Sequence, residues 1–453
     1  MSDVAATAAP PPPAAGDVAW VMTGAALVFI MIPGLGYFYA GMARDKNALS
    51  LMLISLLSLA IVLLQWFVIG YSLAFSTTGG PFIGDGQYAF LMHVGADQTV
   101  AVTLPNLAFC IFQCMFAAIT PALAVGAVAE RFSLIPTTLF MLIWTTIVYD
   151  PIAYWTWGAN GWLNKLGVLD FAGGTPIEVC SGFAGLGLAL AVGKRRPSDE
   201  PFKPHSMSSV ILGTALLWFG WLGFNSASAL AANARAALVL VNTNLAGAAG
   251  GMTWLVIDYV RDRRVSALGF CTGAVAGLVA ITPACGFMGP AASIAVGFLA
   301  GVGCNYASRW KHALGYDDTL DAFSVHGIGG VIGLFFTGVF AEKYWIGLDG
   351  TDKPGGALSG HPMQIVYQMA AIGAGAAWSF TITYLIAFVM DKIGLSLRVS
   401  AEAEDDGIDH SQMGEYTFDY VGDRISSSVE LKRISSQVSR EIQAAPLSGS
   451  TAA

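Results

Sequence analysis

Long runs of Gly, Ala, Val, Leu, Ile and Phe, broken by short polar stretches, mark eleven apolar segments along the chain. They fall at about 18 to 41, 48 to 75, 105 to 128, 133 to 155, 177 to 193, 208 to 228, 236 to 260, 265 to 282, 287 to 307, 322 to 341 and 364 to 391. Each approaches the roughly 20 residues that a helix needs to cross a bilayer. The runs are continuous rather than alternating every second residue, which predicts helices and argues against a barrel. The pattern therefore predicts an all-α polytopic membrane protein with eleven transmembrane helices over residues 18–391. A lead of residues 1–17 and a tail of residues 392–453 flank them.

Composition and charge add a class and an orientation. Of 453 residues, 55% are apolar and 11% charged, against roughly 25% charged in a soluble domain. With the N-terminus taken as outside, alternate loops hold Arg44, Lys46, Arg131, Lys194, Arg195, Arg196, Lys203, Arg261, Arg263, Arg264, Arg309 and Lys311, whereas the others hold only Lys165, Arg235, Lys343 and Lys353. That asymmetry predicts an extracellular N-terminus and a cytosolic tail in a multi-pass plasma-membrane protein. The Ala- and Pro-rich first 17 residues lack the basic start and apolar core of a cleaved signal, and read as a disordered extracellular lead. The net charge of -8 owes much to Glu402, Glu404, Asp405, Asp406 and Asp409, and makes nucleic acid an unsuitable partner. The six Cys show no metal or disulfide spacing and read as small apolar packers; no cofactor is expected.

Two titratable residues stand out because they lie deep in apolar runs. Burying an ionisable group at mid-bilayer costs roughly 3 kcal/mol or more, so Glu178 and His326 point to a path for a small polar solute. Each is followed by Gly at +4 and +7: Gly182 and Gly185 after Glu178, Gly330 and Gly333 after His326. Asp170 precedes the first of these spans and Asp321 the second. The parallel suggests that spans one to five repeat as six to ten in inverted orientation, which typically puts a substrate route between the halves. Gly is also common in membrane helices, so the parallel alone leaves the repeat open.

Longer motifs then become recognisable. Asp170-Phe-Ala-Gly-Gly-Thr175 leading to Glu178, and Leu314-Gly-Tyr-Asp-Asp-Thr-Leu-Asp-Ala-Phe-Ser-Val-His-Gly-Ile-Gly-Gly, resemble the fifth and tenth spans of the ammonium transporter (Amt/Mep/Rh) family. Further matches are FYAGMARDKNALS (38–50), FQCMFAAITPALAVGAVAER (112–131), WFGWLGFNSAS (218–228) and residues 397–399, in family order from about 18 to 420. The wording around residues 70–76 and 82–84 looks like the eukaryotic Mep-type branch. The resemblance implies eleven spans and a homotrimer with one path per subunit, carrying ammonium with methylammonium as an analogue.

It also implies roles. Recruitment of the cation falls on Phe112, Trp157 and Ser228, where ring faces attract a cation by roughly 0.5 to 2 kcal/mol. Phe116, one turn after Phe112, and Phe224 resemble the ring pair that gates the path. Asp170 is implied as a structural acid at the start of the fifth span. Below the gate the family usually has two His; here His326 matches one and Glu178 occupies the other position. A carboxylate beside an imidazole can share a proton or attract a cation, which suits electrogenic uptake.

Other readings remain. A sensor that signals through the tail is one. An intramembrane enzyme at Tyr149-Asp150 lacks a second Asp in a Gly-x-Gly-Asp setting and any zinc helix. In the tail, Ser426 and Ser435 follow basic residues and are candidate sites for a kinase.

Overall fold

A computed structural model describes residues 13–97, 103–197, 202–418 and residue 421. Among these residues the chain is helical, with no strand beyond one isolated bridge between Phe132 and Arg398. We number the principal helices α1 (Ala15–Met42), α2 (Asp45–Phe75), α3 (Asn106–Val128), α4 (Leu134–Leu166), α5 (Gly174–Val192), α6 (Met207–Ala229), α7 (Ala234–Asp262), α8 (Ala267–Ile281), α9 (Pro290–Leu314), α10 (Phe323–Phe340) and α11 (Met363–Lys392). Helix α1 begins at Ala15, inside the stretch read from sequence as a lead.

Nine of these helices, among the described residues, are long and apolar enough to cross a membrane, rather than the eleven expected. The two that fall short do so for identifiable reasons. Helix α7 spans 29 residues but carries Asn242, Thr243 and Asn244 at its middle, which dilutes its hydropathy. Helix α8 has 15 residues, because Pro283 lies two residues past its end and cannot continue the ladder.

Small residues set how closely the helices approach. Without a hydrophobic drive between helices in lipid, packing depends on backbone proximity. A Cβ added at Gly213 of α6 would meet the backbone of Phe38 on α1. The approach that positions the site lies between α5 and α10. There, a Cβ at Gly182 would meet the backbone of Gly327, and one at Gly330 would come within 2.9 Å of the Glu178 Cβ. Both helices open with a π-helical turn, Gly174–Val179 and Phe323–Gly327. Such turns re-aim side chains and recur at functional sites.

On the face where the tail lies, charge holds the loops together. The Glu130 carboxylate accepts from the Arg44 backbone N–H at 2.7 Å and pairs with the Arg44 and Arg195 guanidinium groups at 3.0 and 3.2 Å. Asp317 takes a two-pronged bond from Arg195, 2.9 Å on each oxygen. The Phe202 ring lies under both Arg44 and Arg195, at 4.5 and 4.1 Å from their guanidinium carbons. The tail docks on this surface. Asp409 accepts from the Leu49 and Ser50 N–H groups at the start of α2 (2.9 and 2.8 Å), and Glu404 bonds Arg398 and the Arg196 backbone. Ser426 and Ser435 lie outside the described residues.

Two outcomes test this architecture. Gly182→Ala forces α5 and α10 apart and is expected to destabilise the protein by about 3 kcal/mol, while Gly373→Ala on α11, where a Cβ meets nothing within 4 Å, is expected to raise stability by up to about 1 kcal/mol; thermal unfolding in detergent reads both. Burial pushes the Asp317 carboxyl up, but the hydrogen bonds and charge of Arg195 and the charge of Arg131 overcome it and bring its pKa down to about 2 from 3.8. Because the folded value is the lower one, the stabilisation, about 2 kcal/mol, is present above pH 3.8 and is lost as pH falls through about 2. The stability gap between the wild type and Asp317→Asn, measured against pH, is therefore expected at neutral pH and closes in strong acid.

Candidate functional site

Two acids position the two helix starts. Asp170 Oδ1 accepts from the N–H groups of Gly173 and Gly174 (2.9 and 2.7 Å), and Oδ2 from Thr175 (2.7 Å). These are the orphan donors of the first turn of α5, which a carboxylate satisfies while complementing the helix dipole. On α10 the same work falls to Asp318, which accepts from Ala322 and Phe323 at 3.1 and 2.8 Å. The sequence parallel between Asp170 and Asp321 is thus corrected. Asp321 has a φ of 60° and pairs with Lys311 at 2.9 Å. The spacing held the right answer, since Asp170 precedes Glu178 by eight residues and Asp318 precedes His326 by eight.

With the helices so placed, Glu178 and His326 meet. Glu178 Oε2 lies 2.8 Å from His326 Nδ1, and both side chains are buried. The second carboxylate oxygen, Oε1, has no hydrogen-bond partner among the described residues. The pair borders a narrow lumen of about 20 Å³ lined otherwise by apolar side chains such as Leu35, Leu217 and Val325, with Tyr39 and Thr272 the other polar residues. That is room for about one water. Tyr39 donates to the Leu123 carbonyl at 3.0 Å.

Above the lumen lies a ring pair. Phe116 and Phe224 are fully buried, with centroids 4.2 Å apart and planes tilted by 36°. Phe116 also meets Trp157 edge-on at 6.2 Å. Beyond these rings, on the face away from the tail, opens a hollow of about 180 Å³ lined by Phe75, Phe109, Gln113, Trp157, Phe171, Ser228 and Leu230. Trp157 is held by its indole N–H donating to the Asp170 carbonyl at 3.2 Å, and the Ser228 hydroxyl donates to the Phe224 carbonyl at 2.8 Å, leaving its lone pairs available.

Phe112 does not line this hollow. It packs behind Phe116, centroids 4.8 Å apart, and beside Gly24 of α1. The register of α3 explains this: residues 109 and 113 form one i,i+4 row facing the hollow, while 112 and 116 form the next row and face inward. The chain thus brings Trp157 and Ser228 to one cavity, sets Phe116 between Trp157 and Phe224, and places Phe224, Glu178 and His326 on the lumen.

Sequence reasoning missed Gln113, Tyr39 and Asp318. It also missed a repeat that was there to be found: Ile119-Thr-Pro-Ala122 on α3 returns as Ile281-Thr-Pro-Ala284 at the end of α8. Asp150, the residue that raised the enzyme reading, sits away from the lumen, where Gln65 Nε2 donates to its Oδ2 at 2.7 Å and ties α2 to α4.

Comparisons with known proteins bear on the family and the fold. The profile of the Ammonium Transporter Family matches residues 19–418. Ammonium transporter 1 of Schizosaccharomyces pombe is 49% identical over 410 residues, covering 89% of this chain and 82% of the relative. The crystal structure of Candida albicans Mep2 superposes with a TM-score of 0.83 at 44% identity, covering 89% of this chain and 90% of that one. A structure described as a Sensor Amt Protein does so at 0.80 and 31% identity, over 88% of this chain and 98% of the other. A buried acid–imidazole pair under stacked rings, within a helical bundle that matches that family along nearly its whole length, leads to one conclusion: this chain is a membrane-embedded member of the ammonium transporter family.

Proposed function

We propose that the chain carries ammonium into the cell across the plasma membrane, as a homotrimer with one path per subunit. In this reading all eleven helices cross the bilayer, because α7 is 29 residues long and α8 is continued by the turn residues 282–287. Helices α1–α5 and α6–α10 form inverted halves, with the N-terminus outside and the tail in the cytosol. The supports are the matched pairs, Asp170 with Asp318 and the two π-helical turns, together with the loop charges.

The observation that carries the mechanism is the stack itself: two rings 4.2 Å apart, over a carboxyl–imidazole contact of 2.8 Å, beside a lumen of about 20 Å³. A cation enters the outer hollow and meets the Trp157 ring and the Ser228 oxygen, with Phe112 backing Phe116 from behind. To pass Phe116 and Phe224 it sheds its water, which a dry constriction enforces. Glu178 stands where the family usually has a second His, so the proton released at the gate finds an acid and an imidazole rather than two imidazoles. Ammonia follows the lumen, the proton follows the Glu178–His326 pair, and the net event moves one charge.

A second reading, an ammonium sensor acting through the tail, draws on the tail's docking by Asp409 and Glu404 and on the likeness to the Sensor Amt Protein. Kinase action at Ser426 or Ser435 would add charge to the same tail, later in the sequence than that docked segment. Flux through the purified protein in vesicles, without signalling partners, favours transport; ammonium binding without flux favours sensing.

Current and labelled methylammonium uptake, measured together, test the mechanism. His326→Ala is expected to abolish or reroute transport, whereas Glu178→His retains flux with an altered pH dependence. Indifference of both variants removes the support for a proton relay.

A further inference from the structure

The face on which the tail rests carries a second, larger hollow, of about 600 Å³. It adjoins the lumen: Thr319 and Met42 line the hollow, and Leu320 and Tyr39, one and three residues away in the chain, line the lumen. Five cations, Lys194, Arg195, Arg196, Lys203 and Lys311, border it against two carboxylates, Glu130 and Asp317. Both carboxylates are spent on Arg195. Lys311 pairs with Asp321 at 2.9 Å, and Arg196 reaches Asp405 at 3.6 Å. Lys194 and Lys203 are left without a hydrogen bond or ion pair among the described residues. Like charges gathered in a concave site focus the field and draw in counter-ions. A mouth of this sign repels a cation, so the charge has no evident task in moving ammonium.

We propose that this hollow is a binding site for a small polyphosphorylated anion, held by the ammonium groups of Lys194 and Lys203 with Arg195 and Lys311 adding charge. An ammonium group offers three donors and accepts nothing, so its complement is an anion. The cations come from three separate segments, residues 194–196, 203 and 311, a spread that several phosphates on one scaffold span and a single small ion does not. Each phosphate ester brings about −1.5 to −2 of charge at neutral pH, and lysine binds phosphate as a point charge. The volume is that of small-ligand sites, roughly 300 to 1,000 Å³. A soluble polyphosphate and a phosphoinositide headgroup share this chemistry; a position beside the lumen favours the soluble form. An anion seated there covers the inner end of the path and slows transport. That consequence, unlike the binding itself, rests on the reading of the chain as an ammonium transporter.

The test is calorimetric titration of tripolyphosphate and of inositol hexakisphosphate into the full chain in bilayer discs of uncharged lipid. The wild type is expected to bind both, more weakly as salt rises. Lys194→Gln combined with Lys203→Gln is expected to weaken each about tenfold, the loss of charge-assisted bonds, while Lys165→Gln, on the opposite face, changes nothing. Equal affinity in the double variant, or an equal loss in Lys165→Gln, overturns the proposal. If the double variant does not fold, Lys203→Gln alone decides by the same comparison. In a second arm the discs carry phosphatidylinositol 4,5-bisphosphate. A rise in unfolding temperature that the double variant lacks, without soluble binding, assigns the site to a lipid headgroup; neither binding nor that rise overturns the site altogether. Tripolyphosphate on the tail side of vesicles is expected to lower ammonium-evoked current, and an unchanged current at saturating anion overturns the placement at the inner end of the path. A wild type that binds the anion but carries no ammonium refutes the transport reading and leaves the site standing, so the two failures are told apart.

Discussion

Backbone contact between α5 and α10 is the constraint from which the rest of the centre follows. Two helices in an apolar medium come together by packing rather than by water exclusion, and only small residues let their backbones touch. Gly182 against Gly327, and Gly330 against the Glu178 Cβ, supply that contact. At this distance a glutamate and a histidine reach each other without leaving the bundle interior. Were the crossing looser, each would be an isolated polar group in a dry core, which is far costlier than a hydrogen-bonded pair.

Anchoring at the ends makes the crossing reproducible. Asp170 and Asp318 each take up free N–H groups at the opening of a helix, so the start of each π-helical turn is held in place. Glu178 and His326 both lie within these π-helical turns, and there they meet. A second buried acid, Asp150, accepts from Gln65 and binds α2 to α4 but lies off the lumen. The contrast separates a buried acid that faces a cavity from one that only joins helices. On the tail face, Glu130, Arg195 and Asp317 draw the loops into one charged layer on which the tail rests.

The family's description and the geometry meet in the hollow above the rings. A helix exposes a different row of side chains every hundred degrees, so neighbours in sequence part company in space. Phe112 and Gln113 are adjacent in the chain, yet one packs behind a ring and the other lines the cavity. A motif read as a string groups them; a helix separates them. The same effect misled the pairing of Asp170 with Asp321, where counting residues to the titratable partner picks out Asp318.

Much of this protein was legible from residues alone. Continuous apolar runs can only be helices in lipid, so the all-helical class followed from hydropathy, and the cost of two ionisable groups inside such runs singled out Glu178 and His326, which the fold brings into contact. Span number was less secure, since Asn242 to Asn244 and Pro283 blur two of the helices. What sequence could not supply were rotations and distances: which face of α3 meets the hollow, which Asp closes the start of α10, and whether Glu178 touches His326. Those depend on how far one backbone penetrates another, a quantity set by the simultaneous packing of many side chains and written in no single stretch of the chain.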